Sequence, residues 1–409
     1  MIDPLILVRF VHFAATLLAG GTLCFAVLVA APVLRTSEAL SFYRRRADVM
    51  VWVALALAVP TGAAWLVLLA MQILGAPLSE VCLHGGAWTV AEGTRFGEMA
   101  LLRLALALLL ALLLLIRAPC RLQMLVALLL VLLLAFVGHG GAKPGSLGDF
   151  LLGADVVHLL AATAWLGALP AFALFLLTVT GDAAGCATRR FSVIGIVCVS
   201  ALLATGLVNS WNLVGRLQAF TTTPYGRVLA VKVALFAAMI GIAVLNRLVL
   251  SLRLPGSARP LARSSLAEAS LGLGVLLAVG ALGTMEPGAH AAHETGTAIP
   301  ADAAFVHIHT PEVMADVMIE PGRAGPAHAV VRVMREDGTL YPTQDIKLAL
   351  DPPPPAAPGA SRTAQAMPDG TWQVGALDLA RAGIWTVRVI VARPGEEPAV
   401  LDAPIVIAP

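Results

Sequence analysis

Residues 98–138 read EMALLRLALALLLALLLLIRAPCRLQMLVALLLVLLLAFVG. Two apolar runs, 98–116 and 122–138, flank a short turn that carries Arg117 and Arg121. Each run is long enough to cross a hydrocarbon core of about 30 Å. Hydrocarbon supplies no hydrogen-bond partner for the backbone, so each must cross as a helix that satisfies its own N–H and C=O groups. Outward from this pair, six more runs of the same kind cover 5–33, 48–74, 149–179, 191–214, 227–250 and 265–284, giving eight expected spans. The first is too long for a signal peptide, has no basic segment before it and shows no cleavage site, so it is read as a retained span. The whole chain agrees: of 409 residues 59% are apolar and 13% charged, against about 45–50% and about 25% in soluble domains. A soluble globular enzyme is excluded. The 27 basic and 25 acidic side chains nearly cancel, so nothing points to nucleic acid as a partner. Cysteines at 24, 82, 120, 186 and 198 form no C-x-x-C pair, which argues against a disulfide framework or a zinc ribbon.

Basic residues sort by loop. Arg35, Arg44, Arg45 and Arg46 follow span 1, Arg117 and Arg121 span 3, Arg189 and Arg190 span 5, and Arg253, Arg259 and Arg263 span 7. The even loops hold Arg95, Lys143, Arg216 and Arg227. The positive-inside rule then makes the odd loops cytoplasmic and puts both termini outside, in the periplasm of a bacterial inner membrane. After Thr284 the composition changes. The expected organisation is an eight-span membrane domain over 1–285, a linker rich in small residues, Gly and Pro over 286–303, and a domain over 304–409. That last part shows about seven short alternating stretches, such as Val330–Val333 and Trp385–Val391, cut by Asp-Gly, Pro-Gly and the run Pro352–Pro355. It reads as an all-β immunoglobulin-like sandwich that stands without a disulfide.

An ionisable side chain at membrane depth costs a few kcal/mol and marks a site or a pathway. Arg9 and His12 lie near the start of span 1, Arg103 in span 3, Asp155 and His158 in span 5, Asn209 and Asn212 near the end of span 6, and Lys232 near the start of span 7. Under the topology above all of these fall in the outer half. So do all nine histidines or they lie outside, including His84, His328 and His139, the last in the loop after span 4. Imidazole is the commonest metal ligand. One helical histidine is usually a packing residue, but four spans that bring polar groups to one depth point to a site. Asp155 and His158, three apart, share a helical face, where the carboxylate can orient the ring or join it as a ligand; a local bond that only holds span 5 to its neighbours is the alternative. Arg9, Arg103 and Lys232 outnumber Asp155, a surplus that repels a bare cation unless it binds carbonyls, snorkels or holds an anion such as a haem propionate.

Outside the membrane, His307 and His309 are two apart on a stretch with strand character, so both rings face one side in a geometry suited to Cu(II). Met314 and Met318 follow, and His290 and His293 stand in the linker. No phosphate-binding loop, nucleophile elbow or H-E-x-x-H helix is present, and the chain is read as a non-enzyme.

With those residues in view, the sequence resembles the copper-resistance CopD family. Span 1 offers Arg9-Phe10-Val11-His12 and then Ala19-Gly20-Gly21. Span 5 offers Asp155-Val-Val-His158 and then Trp165-Leu166-Gly167. Thr205-Gly206-Leu207-Val208-Asn209, Thr223-Pro224-Tyr225-Gly226-Arg227, Lys232, Asn246-Arg247, Glu268 and Leu282-Gly283 complete the pattern over about 1–285. The resemblance implies copper handling in homeostasis or resistance, with import from periplasm toward cytoplasm, a periplasmic copper carrier of the CopC type as partner, and His12, Asp155 and His158 as membrane ligands. The β part is similar to periplasmic domains fused to some relatives and unlike CopC itself. The expected mechanism is entry of copper into a polar cavity lined by spans 1, 3, 5, 6 and 7. Two readings of other classes stand beside it: an electron-transfer protein with His12 and His158 as axial ligands of haem b, and a metal-free assembly or docking factor.

Overall fold

The computed structural model describes residues 3–34, 36–74, 77–83, 85–137, 145–179, 181–214, 221, 223–251, 257–285, 300, 302–310, 313–335, 339–352, 359, 361–393 and 397–408. The chain divides into two compact units, Met1–Gln72 with Ala76–Ala292, and Ile73–Gly75 with His293–Pro409.

The first unit contains eight helices long and apolar enough to cross a membrane: Pro4–Val33, Glu38–Ile73, Arg95–Leu115, Cys120–Val137, Ser146–Thr178, Asp182–Trp211, Pro224–Leu250 and Arg259–Leu282, here spans 1 to 8. The protein is thus a multi-pass membrane protein by composition and length of its helices. Three starts are fixed by side chains that accept backbone N–H groups at the helix end. Asp3 Oδ1 accepts from Leu5 at 2.8 Å, Thr94 Oγ1 from Gly97 at 3.0 Å and Thr223 Oγ1 from Gly226 at 3.0 Å. Pro4 and Pro224 follow two of these caps, where their missing N–H is no loss. Spans 2 and 6 begin about ten residues earlier than the apolar runs do. Their first three turns carry Arg44–Arg46 and Arg189–Arg190, so hydropathy marks only the hydrocarbon part of a longer helix. Two short helices, Leu78–Leu83 and Gly86–Gly93, stand between spans 2 and 3.

Span 1 is the most buried of the eight and packs on spans 4, 5 and 8. Its crossing with span 5 is a contact of backbones. A Cβ built on Gly21 would fall on the backbone of Gly167 and Ala168, and one built on Gly167 on the Leu17 carbonyl. Only glycine at both places permits this approach. Span 5 breaks at the same point, ending one helix at Trp165 and starting the next at Leu169. Pro170 explains the break, because it has no N–H to donate and its ring crowds the preceding turn. Cys24, Cys82, Cys120, Cys186 and Cys198 are all free thiols.

The second unit has nine strands among the described residues: β1 Ala304–His309, β2 Met314–Glu320, β3 Gly325–Met334, β4 Ile346–Asp351, β5 Arg362–Thr363, β6 Gln365–Ala366, β7 Trp372–Leu379, β8 Gly383–Val391 and β9 Ala399–Ile407. One antiparallel sheet runs β1-β2-β3-β7-β6 and the other β5-β4-β8-β9. With β2 as the first strand, the orders β2-β3-β7-β6 and β4-β8-β9 are the two sheets of an immunoglobulin-type sandwich, and β1 adds an outer edge. Alternate residues of both sheets, among them Val317, Ile319, Val331, Ile346, Leu348, Val387, Val389 and Leu401, form a single core. Packing alone closes it, as a chain without cysteine in this part requires.

The glycine crossing predicts a sharp positional effect. Gly21→Val should destabilise the detergent-solubilised protein by about 3 kcal/mol or more, beyond ordinary overpacking, and lower its thermal midpoint. Gly241→Ala, on span 7 with nothing within 4 Å of the added atom, should leave the midpoint in place.

Candidate metal site

His12, Arg103 and Lys232 each lie eight residues past the N-terminal ends of spans 1, 3 and 7, and His158 lies twelve past that of span 5. At 1.5 Å per residue this is a depth of roughly 12–18 Å. Successive crossings alternate in direction, so the odd spans bring these groups to one end of the bundle.

His12 is 4% exposed. Its Nδ1 lies 2.9 Å from the Ala58 carbonyl and 3.2 Å from Thr61 Oγ1 on span 2, and its Nε2 meets the Arg103 guanidinium of span 3. Arginine has no acceptor, so Nε2 must be the acceptor and Nδ1–H the donor to Ala58. The tautomer is fixed by the neighbours. Trp65 sets its ring edge-on at 5.8 Å, and Gly62 makes room, since a Cβ there would stand 3.0 Å from His12 Cε1. A cavity of ≈ 100 Å³ lies against His12, Thr16, Trp65, Phe96 and Arg103. Arg103 Nε is buried there without a hydrogen-bond partner. Arg9 Nη1 donates to the Gly283 carbonyl at 2.6 Å and the guanidinium sits 5.1 Å from the Trp65 ring centre. Arg9 therefore fastens span 1 to the end of span 8, which is the carbonyl-binding role the sequence left open.

His158 belongs to a second group. Its Nδ1 lies 2.9 Å from Thr205 Oγ1 of span 6, and that hydroxyl donates to the Ala201 carbonyl at 2.7 Å. The ring N–H thus donates to Thr205, and Nε2 again keeps the lone pair. One turn away, Asn209 Nδ2 donates to Asp155 Oδ1 at 2.6 Å. Asp155 and His158 share a face of span 5 and read Asn209 and Thr205, four apart, on the facing helix. Lys232 of span 7 interacts electrostatically with both Asp155 and His158.

The candidate residues therefore divide. His12 and Arg103 meet across spans 1, 2 and 3, and Asp155, His158, Asn209 and Lys232 meet across spans 5, 6 and 7. Among the described residues, no three His, Cys, Asp or Glu side chains are grouped to hold a metal ion. The lining differs from the one the sequence suggested, because span 2 encloses His12 with Ala58, Thr61, Gly62 and Trp65. A Pro60-Thr61-Gly62 triplet inside an apolar run was the available signal. Axial ligation of one haem finds no support here: the cavity of ≈ 100 Å³ at His12 is far below the ~300 Å³ at which small-molecule sites begin.

In the β unit, His307 stands directly across from Asp316 on β2, with Nδ1 2.5 Å from Asp316 Oδ1. The register pairs His309 with Met314, while the His309 side chain, like His139, His290 and His293, is outside the described residues. Ile308 between them is buried in the core, so His307 is on the outer face of the edge strand.

The Asp155–Lys232 pair makes a measurable prediction. Asp155→Asn leaves a half-buried ammonium without its anion and should cost about 1–3 kcal/mol, less than the ~3–5 of a fully buried pair. Adding Lys232→Met should recover most of the loss in a thermal-melt double-mutant cycle.

Comparison with known proteins supplies the family. A model of the copper resistance protein D-like N-terminal domain matches residues 1–149, and one of copper resistance protein D matches residues 186–282. The chain is 28% identical over 293 residues to inner membrane protein YebZ of Escherichia coli, covering 69% of this chain and 98% of the relative. It is 34% identical over 173 residues to copper resistance protein D of Pseudomonas syringae pv. tomato, covering 38% of this chain and 55% of the relative. A copper transport protein of Bacillus subtilis, CutJ, is 28% identical over 151 residues, covering 35% of this chain and 26% of that protein. No solved structure matches. With two family models covering more than half of its length between them, the chain belongs to the copper resistance protein D family.

Proposed function

We propose that the protein imports copper from the periplasm toward the cytoplasm, taking it up at the histidine-bearing end of the bundle. One observation carries this reading. At His12 and His158 alike, Nδ1 is engaged by a neighbouring carbonyl or hydroxyl, which leaves Nε2 as the atom a metal would take. That is the arrangement by which proteins orient metal-binding imidazoles. The distribution of basic residues among the loops supports a periplasmic placement of this end, and uptake from that side is the direction proposed. The inner membrane is the location named for the Escherichia coli relative.

In this scheme the 1–285 domain conducts and the 304–409 domain, joined by 286–303, receives copper from a periplasmic carrier of the CopC type. His307 and His309, with the linker's His290 and His293 and the loop's His139, offer the first ligands. His12 and His158 are the membrane ligands, and Asp155 supplies a negative charge in the His158 and Lys232 group. Arg103 occupies the His12 lone pair, so copper reaches Nε2 only when the guanidinium moves aside. The Arg103 side chain thus gates the site and keeps it closed to cations that coordinate imidazole weakly. No catalytic step is assigned.

The test is copper content of cells at fixed external supply, measured by mass spectrometry with protein levels matched. His12→Ala and His158→Ala should each reduce accumulation to the level of cells without the protein, and His307→Ala should reduce it only at low supply. Unchanged accumulation in both membrane variants overturns the reading.

A further inference from the structure

The bundle holds a third buried polar group that neither histidine cluster uses, at the opposite ends of spans 5 to 8, where the basic loops lie. A cavity of ≈ 550 Å³ opens there, between span 6, which packs on span 5, and span 7, which packs on span 8. Its walls are apolar, with Phe172, Ile196, Val199 and Ala243 among them. Three of its polar lining residues are buried. Glu268 of span 8 is 2% exposed, Ser265 1% and Asn246 9%. Asn246 Nδ2 donates to Glu268 Oε2 at 3.0 Å, and the Trp165 indole lies beside the carboxyl. Glu268 Oε1, Asn246 Oδ1 and Ser265 Oγ are buried without a hydrogen-bond partner.

Two irregularities of backbone build this spot. Span 7 changes to a π turn at Asn246–Leu250 and span 5 breaks just after Trp165, while Ser265 and Glu268 are three apart on one face of span 8. π turns recur at functional positions because they re-aim side chains out of register with the helix. The charged groups that share the cavity are Arg189 of span 6 and Arg247 of span 7, both exposed at the rim, with Arg247 Nη1 donating to Ser192 Oγ at 2.6 Å. Span 5 brings Trp165 and no charge, span 8 itself has Arg259 and Arg263 nearer its end, and span 1, packed on span 8, carries only Cys24 as a titratable group beyond His12. Apart from the Asn246 amide and the Trp165 indole, no described side chain offers the carboxyl a hydrogen, and Oε1 has no partner within hydrogen-bond geometry. An ionised, buried and bare carboxylate oxygen is costly, and a proton or a cation on it removes the cost. Among the described residues the cavity lining has one carboxylate and no His, Cys or Met, a poor donor set for copper.

We infer that Glu268 is a proton-exchange site, reached through this cavity from the cytoplasmic side, whose proton compensates the charge of the copper that the bundle moves. The step is an acid dissociation: the carboxylic acid gives its proton to water in the cavity as the carboxylate forms, and takes it back in reverse. The inference rests on the transport reading for its role, though not for the existence of the site.

The full chain in liposomes is treated with dicyclohexylcarbodiimide, which adds to protonated carboxyls, and digested for mass spectrometry. Glu268 should be labelled at low pH and at least about tenfold less when the pH is raised past its titration, as for a single ionising acid. Glu268→Gln should abolish the adduct while keeping the amide near Asn246. Ala243→Phe, which fills the cavity and leaves the carboxyl in place, should slow labelling severalfold; it carries the test if the Gln variant does not fold. Absence of the adduct at every pH, labelling that ignores pH, or protection by sodium, potassium or copper at fixed pH each overturns the inference. A pH dye inside the liposomes then reads the coupling: copper addition should move protons in the native protein and not in Glu268→Gln. Normal Glu268 labelling with copper accumulation that ignores His12 and His158 would sink the transport reading and spare the protonation site.

Discussion

Hydrocarbon offers a polar side chain no partner, so every imidazole, amide and carboxyl carried into this bundle has to find one on another helix. That single constraint organises the membrane unit. His12 finds Ala58 and Arg103 and so ties spans 1, 2 and 3. His158 and Asp155 find Thr205 and Asn209 and, with Lys232, tie spans 5, 6 and 7. Glu268 finds Asn246 beside Trp165 and ties spans 5, 7 and 8. Apolar packing between such helices is weakly specific, because lipid tails are as apolar as leucine. The polar bonds and the Gly21–Gly167 approach supply the register that packing alone does not.

The three groups also divide the labour of charge. Two of them sit toward the end that the odd spans enter, with cationic Arg103 and Lys232 next to the histidines; the third sits at the other end around a carboxyl. A cation that moved from the first to the last would leave a region of positive side chains for one with a negative group. A chain whose 27 basic and 25 acidic residues nearly cancel thus carries an internal gradient that its net charge conceals.

How much of this the sequence disclosed follows from the range of each interaction. The spans were legible because hydropathy is a local property summed over about 20 residues, and the two-sheet unit because strand alternation and turn residues are local too. The depth of His12, Asp155, His158 and Lys232 was legible for the same reason. Their partners were not. Thr205 looks like an ordinary helix threonine until the fold sets it against an imidazole, and the Pro60-Thr61-Gly62 triplet marks span 2 as irregular without announcing that Ala58 will receive a hydrogen bond from residue 12. Glu268 and Asn246 stood out only through resemblance, since a carboxyl nine residues past the start of span 8 reads as a residue near the membrane face until its burial is seen. The glycines were quoted as a pattern; their reason, two backbones in contact, is a property of the crossing.

If copper is taken up at His12 as proposed, the arrangement there bears on the charge of the ion. The lone pair that a metal would take is held by a guanidinium in a cavity of ≈ 100 Å³ walled by Thr16, Trp65 and Phe96. When a metal takes Nε2, the displaced guanidinium stays within the reach of its own side chain, so the cavity gains the full charge of the ion. Coulomb repulsion between ion and guanidinium is then twice as large for Cu(II) as for Cu(I) at any given separation. Around Arg103 and Lys232, with Asp155 as the one acid among the candidate membrane residues, the cost of that second charge falls on the site and not on solvent. On the transport reading proposed above, the surplus cations, which at first argue against any metal here, therefore disfavour a divalent ion more than a monovalent one.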